Sequence, residues 1–408
     1  MIQNKARQRP LPVKCFIHLA MPALGVVLAL PLNVAAQTVD AEYVQKLLKR
    51  VEQLESEVKQ LKGSASSAAA TVGLLEATKD AFPKVSFHGF GDIDYHINDR
   101  AGEKNKFVLG QLDFFVISKL SDTLSILNED VIEANEHNSF GIEIERLLLQ
   151  YHPNDYFNLD MGRYHTAVGY YNTAYHHGAW FQTATGRPGF LDFEDGGGLI
   201  PAHNVGFTIG GEIPSGKLGL RYTVEVGNGR PFHKPDKGDS PVLNVSDDNE
   251  YKAVNVAFTA KPEWLPGLQI GVGVYHDTLT PDDTPRTDEE MFHAHLVYKQ
   301  GNWELLNEGY MVRHKTRGDQ AHWTPAFFDQ VAYKFGKFTP YARFSYIHAP
   351  LADQVWQVIG ANGLRYGPGV GLRYDFSNLA AFKVQYDHQI ETGQRDGNEL
   401  TLQAAFTF

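Results

Sequence analysis

From Pro83 to Phe408 the apolar residues recur with a period of two. In the last segment Leu400, Leu402, Ala404, Phe406 and Phe408 alternate with Thr401, Gln403, Ala405 and Thr407. Upstream, Phe382, Val384 and Tyr386 alternate with Lys383, Gln385 and Asp387, and Leu218, Leu220, Tyr222, Val224 and Val226 with Gly219, Arg221, Thr223 and Glu225. Phe292, Ala294, Leu296 and Tyr298 alternate with His293, His295 and Val297. Successive side chains of a strand point to opposite faces, so each segment predicts one apolar face and one face that carries charge along its length. A soluble sandwich alternates in the same way, and the connections have to decide.

About sixteen strand candidates of roughly 9 to 14 residues can be counted. They start near residues 84, 106, 122, 139, 156, 204, 216, 250, 267, 289, 302, 322, 338, 366, 379 and 398. Short gaps (121–122, 152–155, 214–216, 261–267, 300–301, 336–337, 377–378) alternate with longer ones (98–105, 134–138, 164–203, 227–249, 277–288, 314–321, 348–365, 391–397). Short turns on one rim and long loops on the other mark a transmembrane barrel, with the short turns at the periplasm. An even strand number puts both chain ends on the short-turn side. In lipid every backbone polar group must be paired, which a closed sheet achieves. Aromatic residues near strand ends, such as Tyr151, Tyr156, Phe157, Trp264 and Trp303, suit an interfacial girdle. The prediction is an all-β, antiparallel outer-membrane barrel over 83–408. A mean hydropathy of −0.31 then averages a lipid face and a wet face. A pI near 5.8 argues against a nucleic-acid partner.

Residues 1–36 read as a secretory signal. Lys5, Arg7, Arg9 and Lys14 precede an apolar stretch from Cys15 to Leu32, and Val34-Ala35-Ala36 offers a small-residue cleavage site. Pro22 and Pro31 argue against a membrane anchor. Cleavage removes the only cysteine and four basic residues, taking the net charge from −11 to −15. Over 37–62, Val44, Leu47, Val51, Leu54, Val58 and Leu61 form an unbroken heptad seam with Val at a and Leu at d. Arg50 and Glu57 at g can meet Glu55 and Lys62 at e of a neighbouring copy, so a short periplasmic coiled coil in a parallel oligomer is expected. Residues 63–82 begin GSASSAAA and read as a linker.

Signal, heptad segment, linker, sixteen strands and terminal Phe408 together resemble bacterial outer-membrane porins. The chain is most similar in pattern to the phosphate-selective porin O/P-like family, through VQKLLKRVEQLESEVKQLKG and the stretch from Asp160 to Gly169 (DMGRYHTAVG). Phe408 looks like the terminal aromatic that such barrels present to their insertion machinery. The resemblance implies a homotrimeric, water-filled diffusion channel for small hydrophilic solutes or ions, including anions such as phosphate. It also implies that the third long loop, 164–203, folds inward and narrows the channel.

That loop holds His165, His176, His177, Arg187, Asp192, Glu194, Asp195 and His203. Alternation points Asp92, Asp94, Arg221, Glu225, Arg343, Arg373, Lys383, Asp387 and Glu391 inward, and Asp160 and Arg163 flank the start of the loop. Basic and acidic walls facing one another would impose a transverse field on solutes. A dense Arg/Lys ladder, as phosphate selectivity would require, is not evident. The histidines read as pH-titrating surface groups rather than metal ligands, and no cofactor is expected. Asp247-Asp248, Asp282-Asp283 and Asp288-Glu289-Glu290 read as solvated loop acids that could also bridge lipopolysaccharide. Two other functions remain open. One is a barrel enzyme, although G-x-S-x-G, P-loop and H-E-x-x-H patterns are absent. The other is a structural or adhesive barrel tethered to the cell wall by its coiled coil.

Overall fold

A computed structural model describes residues 45, 49–59, 62, 83–100, 104–134, 139–176, 178–193, 198–230, 245–247, 249–280, 285–393 and 395–408. The chain divides into two units, Met1–Asp80 and Ala81–Phe408. In the first, residues 49–59 are helical, with Val51, Leu54 and Val58 exposed. The signal segment, its cleavage site, the linker and the seam residues Val44, Leu47 and Leu61 lie outside the described residues.

In the second unit sixteen strands follow one another: β1 (Lys84–Asn98), β2 (Lys106–Lys119), β3 (Leu124–Ala134), β4 (Phe140–Asn154), β5 (Phe157–His165), β6 (His203–Ile213), β7 (Leu220–Gly227), β8 (Ala253–Ala260), β9 (Leu268–Leu279), β10 (Thr287–Gln300), β11 (Trp303–Thr316), β12 (Ala321–Tyr333), β13 (Phe338–Ala349), β14 (Gly363–Asp375), β15 (Ala380–Glu391) and β16 (Gly397–Thr407). Two short helices lie in loops, α1 (Tyr171–Ala174) and α2 (Gln354–Val358). Each strand pairs antiparallel with its neighbours in sequence, and β1 pairs with β16, closing the barrel. The seam runs from Phe90 opposite Thr407 to Asn98 opposite Glu399. Past it, Phe408 N–H donates to the Gly89 carbonyl at 2.9 Å and Gly89 N–H returns a bond to Phe408 at 3.1 Å. The Phe408 ring fills the space that a side chain at position 89 would need.

The two-residue period produces an apolar exterior. Val254, Phe258, Val272, Val274, Phe292, Leu296, Met311, Phe327, Val370, Phe382 and Leu402 are all exposed, as a lipid-facing band requires. At the short-turn rim Trp303 packs edge-on to Tyr333 with ring centroids 4.7 Å apart, and Phe338 lies 4.9 Å from Tyr374. These form part of the expected aromatic girdle. Two local expectations differ from the structure. β7 begins at Leu220, because Gly216–Leu218 forms a 3-10 turn and Gly219 is left-handed at φ 59°. The connection between β11 and β12 is only residues 317–320, because both strands run further than their apolar alternation.

A charge on the outer band should be costly while one on the inner wall is not. Val272→Arg, at the middle of β9, is expected to lower unfolding free energy in phospholipid vesicles by about 2–4 kcal/mol. Thr259→Arg, whose side chain borders an inner cavity, should change it by less than about 1 kcal/mol in the same denaturant titration.

Candidate functional site

The long loop leaves β5 after His165, forms α1, and returns at His203. Its stems are tied by Asn172, whose amide donates to the carbonyls of Thr166 at 3.1 Å and Ala202 at 2.8 Å. The free N–H groups at the start of α1 find acceptors on the opposite wall. Tyr170 and Tyr171 N–H donate to the Glu308 carboxylate on β11 at 2.8 and 2.7 Å, and Gly169 N–H donates to His293 Nδ1 on β10 at 3.1 Å. Tyr310 O–H donates to the same carboxylate at 2.6 Å.

The middle of the loop is held from the other side. Its carbonyls accept from three strand cations. Arg343 donates to Gly186 at 2.7 Å, Arg373 to Trp180 at 2.8 Å and Gln182 at 2.9 Å, and Lys383 to Ala184 at 2.9 Å and also to Ala179. Gln403 on β16 adds a bond to Thr185 at 3.0 Å. The loop thus bridges β10–β11 and β13–β16 through the interior, so the inward fold that the resemblance implied is present. Arg373 and Lys383 stand directly opposite one another in the β14–β15 ladder. Convergent carbonyl dipoles offset a like-charge pairing that would otherwise be unfavourable.

The inner wall is not polar along its whole length. Tyr171, Tyr175, Phe190, Leu191, Leu199 and Ile200 of the loop pack in one buried cluster with Tyr275, Met291, Tyr310, Phe328 and Trp356. Tyr275, Met291, Tyr310 and Phe328 take inward strand positions that alternation alone would assign to water, Trp356 joins them from α2, and the long loop is what covers them. Burial pushes the Tyr171 hydroxyl up to about 12 and that of Tyr175 higher still, so both stay neutral.

Two polar cavities flank the loop. One, of about 360 Å³, is bordered by Arg146, Asp160, His165, Glu225, His293 and His295. The other, of about 280 Å³, is bordered by Asp94, Arg187, Asp192, Arg343, Asp387 and Glu399. On one wall of the second cavity both signs stand side by side. Arg343, Gly369 and Asp387 are consecutive partners across β13, β14 and β15. A side chain at Gly369 would collide with both neighbours, so glycine keeps this charged opening clear. Arg187 donates to the His176 carbonyl at 2.9 Å and lies 4.1 Å from the Phe193 ring centre.

Other sequence candidates fall elsewhere. Glu225 is buried and accepts from Ala167 N–H and the Asn255 amide, each at 2.8 Å. Arg221 pairs with Glu212 at 2.9 Å among exposed side chains near a short turn, away from the loop. Arg163 is buried on β5. Glu391 meets Arg100 at 3.4 Å beside a further small cavity. His177, Glu194 and Asp195 lie outside the described residues. His165, His176 and His203 are not surface groups. All three are buried together with Glu145, because loop and strands close over them.

The sequence reading did not single out Glu145 or Glu308. Glu145 has a signal: outward Ile142 and Ile144 are followed by Leu147 and Leu149, a step of three in a rhythm of two. The β3–β4 register shifts at this point, Glu129 facing Arg146 and Asp130 facing Ile144. Glu145 is the extra residue of a bulge, which re-aims its side chain. Glu308 is the acid between Leu306 and Tyr310 on one inner face, a pattern that asks for donors from elsewhere.

Removing one cationic tether should loosen the loop without opening the barrel. Lys383→Met is expected to raise amide hydrogen exchange across residues 178–186 by roughly ten- to a hundredfold, since bonds to charged groups contribute about 1.5–3 kcal/mol. The strand amides should remain protected.

The sequence matches no protein-family model and no curated protein. Solved structures do match. The barrel is similar to OmpT, an outer membrane protein of Vibrio cholerae, in a form lacking loop L8: TM-score 0.55, 14% identity, covering 80% of this chain and 100% of that one. It is similar to the outer membrane channel DcaP of Acinetobacter baumannii, with TM-score 0.55 and 11% identity over 80% and 97% of the two chains. It also resembles the anion-selective porin from Comamonas acidovorans, with TM-score 0.56 and 11% identity over 80% and 99%. At these identities the likeness is one of fold: a porin-like outer-membrane barrel.

Proposed function

We propose that this chain forms an outer-membrane channel for passive diffusion of small hydrophilic solutes or ions. One observation carries the reading: the longest loop is drawn inside a closed sixteen-stranded barrel and leaves cavities of about 360 and 280 Å³ bordered by charged side chains beside it. A lumen narrowed by one strapped loop and bordered by charges selects by size and sign. The porins and channel of the same fold support this reading over a barrel enzyme.

Phosphate specificity finds less support. Arg343, Arg373 and Lys383 are bonded to loop carbonyls rather than arrayed as a free ladder. Around the second cavity Asp94, Asp192, Asp387 and Glu399 stand against Arg187 and Arg343, which favours ions of either sign over a dedicated anion path.

The chain ends support an orientation. Lys84 pairs with Lys119 beside a short turn, and Phe408 closes on the same rim, so the segment before residue 83 would enter from the periplasm. The scheme is then a signal over 1–36, a coiled coil over 37–62, a linker over 63–82 and the barrel over 83–408. The exposed seam of Val51, Leu54 and Val58 supports self-association, and a solved relative of the same fold is described in a trimer form. We propose a homotrimer in contact with outer-membrane lipid and lipopolysaccharide.

Purified protein in planar bilayers should give stable conductance steps. Folded barrel without steps, together with peptidoglycan binding by residues 37–70, would favour the tethering alternative instead. Asp94→Asn combined with Asp387→Asn should shift the reversal potential in a salt gradient toward anions, by removing two acids from one opening.

A further inference from the structure

We propose that Glu145, His165, His176 and His203 form a structural site for one divalent transition-metal ion, zinc by donor set, that clamps the long loop to the barrel wall. Four elements converge here: the β4 bulge, the last residue of β5, the second residue past α1, and the first residue of β6. One ligand atom from each lies within 4.8 Å of all the others, and all four residues are buried.

Protons alone do not account for the contacts. His176 Nε2 is 3.1 Å from Glu145 Oε2 and 2.8 Å from His203 Nε2, and His203 Nε2 also contacts Glu145 Oε2. A ring nitrogen has one in-plane site and acts once, as donor or as acceptor. A triangle of two such nitrogens and one carboxylate oxygen therefore satisfies at most two of its three edges by hydrogen bonding. A cation at its centre satisfies all three.

The surroundings fix the tautomer that a metal needs. The Asn172 amide nitrogen is committed to the Thr166 and Ala202 carbonyls, so its oxygen faces His176 Nδ1, which donates to it at 3.1 Å. A neutral His176 then holds its lone pair on Nε2, the atom 3.1 Å from Glu145 Oε2 and 2.8 Å from His203 Nε2, and this is the form that ligates a metal. This is the outer-shell arrangement that orients metal-bound imidazoles. The His165 ring stacks on His176 with centroids 3.4 Å apart. Its Nε2 is buried, makes no hydrogen bond, and lies 3.6 Å from Glu129 Oε2, an oxygen that Arg146 already engages. His176 is also the one non-glycine residue at positive φ among the described residues, at 42°, backbone strain of the kind found at ligand clamps.

Three imidazoles and one carboxylate suit zinc, with ligand distances near 2.0–2.1 Å and ligand–ligand separations of about 3.3 Å. The four ligand atoms already lie within 4.8 Å of one another, and the His165 ring, stacked at 18° on His176, would turn so that both lone pairs converge on one ion. With four protein ligands the site is closed, so its role is structural rather than catalytic. It joins both stems of the loop and the end of α1 to β4 without a disulfide.

The test uses untagged full-length protein isolated in detergent, stripped with a chelator and titrated with Co²⁺. One cobalt per chain with intense visible absorption of a tetrahedral centre is expected, displaced by one equivalent of Zn²⁺. His176→Gln and His203→Gln should weaken this binding more than about 100-fold, while His152→Gln, at an exposed pair with Asp160, should not. Barrel formation is checked by circular dichroism. If either histidine variant fails to fold, Glu145→Gln serves, being of equal size. The proposal is overturned if folded protein takes up no stoichiometric cobalt, or if Glu145→Gln or the His176→Gln, His203→Gln pair binds it as the unmodified chain does.

Discussion

Everything in this structure depends on the closure of one hydrogen-bond ladder. An open sheet in hydrocarbon would leave two edges of unpaired N–H and C=O groups, each costing several kcal/mol. The β1–β16 pairing removes those edges. It also sets the strand count to an even number and returns both ends of the barrel to one rim. The exposed apolar side chains then face lipid, and the polar ones have nowhere to go but the interior.

A barrel of this size would hold a wide lumen, and the long loop is what occupies it. The loop's backbone is itself a set of donors and acceptors that must be satisfied. The walls supply partners by sign: the Glu308 carboxylate and His293 take its N–H groups, and Arg343, Arg373 and Lys383 give to its carbonyls. This division explains why charges that alternation assigns to the pore are bonded to the loop instead. It also explains the apolar inner residues. Met291, Phe328 and Trp356 would be costly facing water and are covered by Phe190, Leu191 and Ile200.

The acids and histidines at the loop stems form a different kind of contact. Glu145, His176 and His203 crowd together at separations that hydrogen bonds satisfy only in part. A bound cation there would make the loop position depend on metal supply. Loop geometry would then rest on two independent supports, cationic tethers at the middle and a clamp at the stems.

Alternation and loop lengths determined the barrel from the sequence. Strand starts at 84, 106 and 338 were legible to the residue, because lipid imposes a strict two-residue rule and turns interrupt it. β7 was placed early because Leu218 continues the apolar rhythm while Gly219 breaks the backbone. Alternation yields the inward residues as a set of types but not their roles. Arg343 and Asp387 share a wall across Gly369, and Arg221 sits at a rim; both facts depend on register across strands, which no single strand encodes. The gathering of Glu145, His165, His176 and His203 joins residues as far as 58 positions apart. A one-residue bulge and the path of a loop through the lumen bring them together. Those are choices of tertiary packing, whereas the two-faced strand is a local consequence of sequence.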